Sequence, residues 1–237
     1  MMKIFEQRNR SYIISYRTQR RLVGILGMIL PLVCFLGGLL FTGIGRQESI
    51  SYYYHTNMRD WFVALMGAVG VFLLTYHGKY LIDDLVSSAS GMAALMVAFF
   101  PCRQILPPLS LEPPVRPGLP PIGMFYLDQN ISQNIHAAAA ASFFILLACN
   151  SLFLFTRSRH PKDQLPRPKL LRNRVYRVCG ILILAALATL GMLVLLMDPM
   201  ELSNSGLIFW LEAVMLAAFG VSWLVKGETL FRDPAAV

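Results

Sequence analysis

The chain has 237 residues, of which 56% are hydrophobic and only 14% are charged. A soluble domain normally has about a quarter of its residues charged. The charges here stand in clusters between long apolar stretches, which excludes an ordinary soluble fold. Backbone groups in lipid must be hydrogen-bonded within the protein, and these stretches are too long for barrel strands, so we predict transmembrane helices.

The formal net charge of +8 does not indicate a nucleic-acid-binding protein, because the basic residues flank the hydrophobic segments. Lysines and arginines in such places act as topology signals and as contacts for anionic headgroups, so membrane lipids are the expected partners. The four cysteines are scattered and form no CxxC pair. They indicate neither a disulfide framework nor a thiolate metal site.

Six apolar segments come near the roughly 20 residues that a helix needs to cross a bilayer, the second and third being short. The tight turn between these two is followed by Asp83 and Asp84, which are expected in the first turn of the third helix. No cleavable signal peptide is predicted, because the first apolar run is long enough to be a retained helix. The six segments cover residues 22–44, 61–76, 85–100, 135–156, 178–197 and 205–225.

The basic residues predict the topology. With the N-terminus inside, 17 of the 21 lysines and arginines fall in inner segments, and only Arg46, Arg59, Arg103 and Arg116 fall in outer loops. This bias fits an even number of spans with both termini in the cytoplasm. The fold class predicted is therefore an all-α, polytopic membrane six-helix bundle.

One membrane domain is predicted, because no period of 20–50 residues repeats. Residues 1–21 form a basic cytoplasmic segment, residues 22–225 the transmembrane domain, and residues 226–237 a cytoplasmic tail. The outer loop, residues 101–134, has eight prolines between positions 101 and 121 and is expected to be stiff and extended. The inner loop, residues 157–177, is basic and interrupted by prolines.

Small residues predict close contacts between helices, since lipid provides no hydrophobic drive for helices to associate. The candidates are Gly67 and Gly70 on the second helix, the alanines at 137–141 on the fourth, and Ala213, Ala217 and Gly220 on the sixth.

Glu212 is the clearest functional candidate, because an ionisable residue inside an apolar helix is costly. It lies roughly two turns, or on the order of 10 Å, from the outer end of the last helix. We expect it to face the bundle, near a cation or in its neutral form. Two interpretations are open, a functional carboxyl group and a structural hydrogen bond between helices.

A second candidate is the polar segment that enters the second helix from the outside. Asp60 is expected to cap that helix, and the tyrosines are also typical of an interfacial aromatic belt. Ser51 and His55 share one face if the stretch is α-helical. The residues singled out here are Ser51, Tyr52, Tyr53, Tyr54, His55, Arg59 and Asp60.

The predicted topology places these residues, His136 and Glu212 at the outer leaflet. If the second, fourth and sixth helices touch there, His55, Asp60, His136 and Glu212 converge. Such a set suits Zn²⁺ or an acid/base pair, although no HExxH or HxxxH element supports a metal. On the inner side His77, Asp83 and Asp84 lie near Lys79, and solvated ends and helix capping explain them.

At these residues the chain resembles a group of bacterial six-helix membrane proteins with no established reaction, and more distantly the Frag/DRAM/Sfk-type architecture. The resemblance implies a bacterial inner membrane. It is carried by Ser49 to Val63, Ala98 to Pro101, Ile135-His136, Ser142 to Phe144, Arg172 to Arg177, Phe209 to Glu212 and Phe219 to Gly227.

A second resemblance is to the seven-helix hydrolases that include alkaline ceramidases and adiponectin-type receptors. Ser51 and His55 are similar to their Ser-x-x-x-His pair, but Ala140 stands where their later His-x-x-x-His would need a second histidine after His136.

Three functions are weighed. The first is binding of a lipid, a small amphipathic ligand or a membrane-protein partner, including a homo-oligomer, through an outer polar pocket. The alternative is an intramembrane lipid hydrolase in which His and carboxylate side chains activate water, with or without zinc. The third is a proton-coupled transporter that uses Glu212, which the absence of an inverted repeat disfavours.

Overall fold

The computed structural model describes residues 2–104, 122–158 and 166–229, with side chains from residue 16 onward. This part of the chain contains no strand beyond one isolated bridge between Ile122 and Leu127, which confirms the all-α prediction. The helices are α1 (Met2–Thr42), α2 (Arg59–Leu74), α3 (Leu81–Phe99), α4 (Gln129–Cys149), α5 (Arg167–Leu196), α6 (Pro199–Ser205) and α7 (Leu207–Lys226). A 3₁₀ turn (Ser51–His55) precedes α2, and a π turn (Asn150–Leu154) continues α4.

Five helices are long and apolar enough to cross a membrane, which fits a multi-pass membrane protein. They are the part of α1 from Tyr16, α3, α4 with its π turn, α5 and α7. The second predicted span, α2, has 16 residues. At 1.5 Å per residue it is about 24 Å long, shorter than a hydrocarbon core of about 30 Å.

The six long helices form a closed ring in which each packs against its neighbours in chain order, and α7 closes the ring against α1. One end, called here the basic end, comprises α1 around residues 16–21, the α2–α3 turn, the start of α5 and the end of α7. Arg21 Nε donates to the carbonyl of Gly227 at 3.1 Å, and Arg157 pairs with Asp83 at 3.4 Å. The other end, the loop end, comprises residues 43–58, 100–104, 122–128 and 197–206.

Two pairs of glycines allow neighbouring helices to approach closely. A Cβ added at Gly24 of α1 or at Gly220 of α7 would lie 2.7 Å from the carbonyl oxygen of the other. Gly70 of α2 and Gly91 of α3 are matched in the same way, at 3.0 and 2.6 Å. Gly67 faces open space, so only part of the predicted small-residue pattern makes helix contacts.

The helices extend further into the basic segments than predicted. α1 begins at Met2 and α5 at Arg167, so residues 167–177 of the predicted inner loop are helical. Arginine and lysine are good helix formers, and their long stems reach along apolar surface toward water, so a basic stretch need not end a helix. Most of the predicted proline-rich loop, residues 105–121, lies outside the described residues.

Candidate functional site at the loop end

Glu212 hydrogen-bonds backbone amides of the loop end. One oxygen of its carboxylate accepts from the N–H of Ile50 at 2.6 Å, and the N–H of Ser51 also bonds to this carboxylate. Ile50 is the residue that caps the 3₁₀ turn. The first amides of a helical turn have no partner within the turn and carry partial positive charge. Ile50 makes no capping hydrogen bond with its own side chain. The side chain of Glu212, which belongs to α7, therefore accepts from these amides instead.

Further contacts fix the same loop on α6 and α7. Phe209 N–H donates to the carbonyl of Glu48 at 3.0 Å, and the Ser203 hydroxyl donates to the Glu48 carboxylate. Burial raises the pKa of Glu48, and the hydrogen bond from Ser203 acts in the opposite direction. The Arg46 guanidinium occupies the space beside Gly206, whose positive φ of 71° a residue with a side chain would adopt only with strain.

The two histidines bind the same short segment. His55 Nε2 lies 2.8 Å from the carbonyl oxygen of Cys102, and His136 Nδ1 lies 2.7 Å from that of Phe100. A carbonyl only accepts, so each imidazole donates at that nitrogen. Burial lowers the pKa of His55, the hydrogen bond to Cys102 raises it, and the charge of Arg59 lowers it. Both rings thus hold residues 100–102 in place.

Three side chains that the sequence analysis missed complete this arrangement. Ser132 Oγ donates to the carbonyl of Pro101 at 2.7 Å. The side-chain oxygens of Gln129 and Gln133 accept from the amides of Gln104 and Arg103, at 3.0 and 2.8 Å. With His136 these residues have the spacing i, i+3, i+4, i+7, a polar stripe on one helix face that a search for helical periodicity would have found.

The aromatic cluster of the 3₁₀ turn divides between core and surface. Tyr53 is fully buried, and its hydroxyl donates to the carbonyl of Gly45 at 3.2 Å. The rings of Tyr52 and Tyr54 meet the edge of His55 at centroid distances of 5.1 and 5.4 Å. The exposed Arg59 guanidinium lies 5.3 Å from the centroid of Tyr54.

The expected convergence is only partial. Glu212 lies at the start of the 3₁₀ turn, the two histidines lie on residues 100–102, and Asp60 is exposed in the first turn of α2. Asp60 is not the cap of that helix, because Met58 takes the cap position without a side-chain bond. A 3₁₀ helix advances about 120° per residue, so Ser51 and His55 do not share a face.

The zinc interpretation of the sequence stays a prediction. Among the described residues, no three His, Cys, Asp or Glu side chains are placed to hold a metal ion. Cys102 lies among these groups, but burial and the carboxylates of Glu212 and Glu48 raise its pKa, so its thiol stays protonated and is a poor ligand and nucleophile.

At the basic end, the expected capping role of the acidic pair is confirmed. Asp84 accepts from the amide of Gly78 at 2.6 Å. Asp83 accepts from the amides of Lys79 and Tyr80 at 3.1 and 3.2 Å. These bonds satisfy backbone donors of the turn that leads into α3 and of its cap residue, Tyr80.

Comparison with protein-family models, curated proteins and solved structures finds no match to this chain. Any function must therefore be inferred from the residues at the two ends of the bundle.

Proposed function

We propose that the chain is a six-span protein of a bacterial inner membrane, with both termini and the basic end in the cytoplasm. The distribution of 17 lysines and arginines against four supports this orientation. α2 is short, but it packs between α1 and α3 in the ring, and its charges are confined to Arg59 and Asp60 in its first turn. The bacterial membrane is inferred from the resemblance described above.

The proposed activity is binding of a lipid or another amphipathic ligand with an anionic head at the loop end. One observation carries it: the Arg59 guanidinium is exposed and lies over the ring of Tyr54, beside His55. A guanidinium binds phosphate or carboxylate through paired hydrogen bonds, and stacking on a ring limits its freedom beforehand. Tyrosines are also favoured at the depth of lipid headgroups.

The remaining candidates divide into two groups in this proposal. Glu212 and His136 are positioning residues, because their polar atoms bind backbone of the loop end. Arg59, Tyr52 and Tyr54 are the residues expected to touch the ligand, with His55 between the two rings. Binding thus depends on a rigid frame and a few exposed groups.

The test is native mass spectrometry of the purified chain after mild extraction from the membrane. Arg59→Gln is expected to lose a bound lipid that the wild-type protein retains. Arg103→Gln is the matched control, because Arg103 is also exposed at the loop end and its backbone amide, not its side chain, makes the hydrogen bond described above. Equal lipid retention in both variants would refute the proposal, and co-purification of a protein lost only in Arg59→Gln would replace the lipid by a membrane partner or a second copy of the chain.

The topology is tested separately by attaching a reporter that is active only outside the cytoplasm. Fusions after Arg103 and after Ser158 lie at opposite ends of the bundle and are expected to give opposite signals. The same signal from both would show that α4 does not cross the membrane.

A further inference from the structure

The basic end contains a cluster of cations from three helices. Lys226 is the last residue of α7, and its Nζ lies 4.9 Å from the centroid of the Phe155 ring. Arg20 of α1 and Lys169 and Arg172 of α5 are its cationic neighbours, and the carboxylate of Asp83 also acts on it. Arg172 is only 8% exposed. Like charges held close together repel, and an anion beside Arg20 and Lys226 would offset that repulsion.

Aromatic rings enclose this cluster. Trp223 packs edge-on against Tyr76 and Phe155, at centroid distances of 5.0 and 5.3 Å, and Phe155 packs against Tyr176 at 5.4 Å. The Arg20 guanidinium lies 5.4 Å from the centroid of Tyr76. The cations are therefore held against rings that exclude water on one side, which strengthens any interaction with an anion.

Several buried polar atoms on the helices that meet at the basic end have no hydrogen-bond partner among the described residues. The donors among them are Arg20 Nε, Trp223 Nε1 and Asn150 Nδ2, and the acceptors are Asn150 Oδ1 and Asn173 Oδ1, which an anion would not satisfy. Asn150 is 1% exposed and Trp223 is fully buried. Buried polar groups in proteins are nearly always hydrogen-bonded, so each exception needs an explanation, and an unseen ligand or ion is one of the few available.

The nearby carboxylates already have partners. Asp83 accepts from two amides and pairs with Arg157 at 3.4 Å. Glu228 pairs with Arg17 at 2.8 Å, and Asp84 accepts from the amide of Gly78. These three acids do not supply the missing hydrogen bonds of Arg20, Trp223 and Asn150.

We propose that the basic end binds a phosphate-type anion, with Arg20 and Lys226 as its charged contacts and Trp223 Nε1 and the Asn150 amide as neutral donors. The anion is either the headgroup of an anionic phospholipid or free phosphate. This site lies at the end of the bundle opposite to Arg59 and does not depend on the function proposed there.

The test compares thermal unfolding of the full chain in nanodiscs of neutral lipid with that in nanodiscs containing an anionic phospholipid. The wild-type protein is expected to be stabilised by the anionic lipid, and Lys226→Gln is expected to lose most of that stabilisation. Its affinity for the lipid, measured by titration, is expected to fall roughly tenfold or more, which corresponds to about 1.4 kcal/mol. A second arm adds inorganic phosphate to protein in neutral nanodiscs, with chloride at equal ionic strength, and a response there alone identifies free phosphate.

Lys79→Gln is the matched control, because Lys79 is exposed at the same end and its loss changes the net charge equally. Without any anion, Lys226→Gln is expected to be more stable than the wild-type protein, since it relieves repulsion among neighbouring cations. This gain also shows that the variant folds. Equal responses of Lys226→Gln and Lys79→Gln to both anions would overturn the proposal. It would also be overturned if a carboxylate of the chain itself, Asp163 or Asp233, neutralises the cluster. Removing that carboxylate would then abolish the difference between the two variants.

Discussion

The loop end and the basic end both bury polar side chains, but those side chains have different partners. At the loop end, Glu212, Ser132, His136 and Gln129 each bond to a backbone group of the chain. At the basic end, Arg20, Asn150 and Trp223 keep buried atoms with no partner among the described residues. The comparison teaches that a conspicuous acid or histidine within an apolar helix can serve to hold a fold. The unmet hydrogen-bonding capacity of less conspicuous residues is then the better guide to a ligand.

The largest expected effect follows from removing the carboxylate that caps the 3₁₀ turn. Glu212→Ala leaves the amides of Ile50 and Ser51 without their acceptor, and losing hydrogen bonds to a charged group costs roughly 2–3 kcal/mol. Thermal or denaturant unfolding in detergent measures the loss. Glu201→Ala on the exposed face of α6 is the control and is expected to change stability little. A Glu212→Ala protein as stable as the wild type would show that Glu212 is not a positioning residue of the loop end.

The same chemical replacement at the two ends is expected to have opposite effects. Gln129 is 2% exposed and accepts from the Gln104 amide, so Gln129→Leu leaves a partly buried donor unpaired and costs about 1–3 kcal/mol. Asn150→Leu removes two polar atoms with no partner, and without an anion it is expected to gain on the order of 1 kcal/mol.

Unfolding of both variants in neutral detergent tests the comparison directly. Losses of similar size in Gln129→Leu and Asn150→Leu would mean that Asn150 has partners outside the described residues.

The smallest effect is a dependence of stability on pH from His55. Because its pKa is lowered in the folded state, the unfolded chain binds more protons below about pH 6.5, and stability falls as the pH drops by at most about 1.4 kcal/mol per unit. Glu48 has a raised pKa and contributes with the opposite sign, so the measurement is made in a Glu48→Gln background. His55→Gln keeps a donor for the Cys102 carbonyl and is expected to flatten the profile between about pH 7 and 5. An unchanged slope would show that His55 is not the titrating group.

The helices were predictable because, in a membrane, a long apolar segment must form its backbone hydrogen bonds within itself. The capping by Asp83 and Asp84 was predictable from their position in the first turn of a helix. The first residues of α1 and α5 were not predictable from apolarity alone, since basic residues extend each helix on the N-terminal side of its apolar run. The 3₁₀ turn at Ser51 also escaped prediction, because its amides are capped by Glu212, which is 162 residues away along the chain.

The candidate site was predictable only in its parts. Apolar surroundings singled out Glu212 and His136, but not their partners, which are backbone groups of loops whose path no periodicity describes. The cationic cluster was read as topology signal alone, because Arg20, Arg172 and Lys226 are distant in sequence and meet only when the ring of helices closes.

That closure has a consequence for biogenesis. The contact between Gly24 and Gly220 joins α1 to α7, which is synthesised after the other five long helices, so one flank of α1 stays uncovered until α7 is made. The last helix also delivers Glu212 and Lys226, one to each end. Both clusters are therefore completed together, when α7 packs against α1.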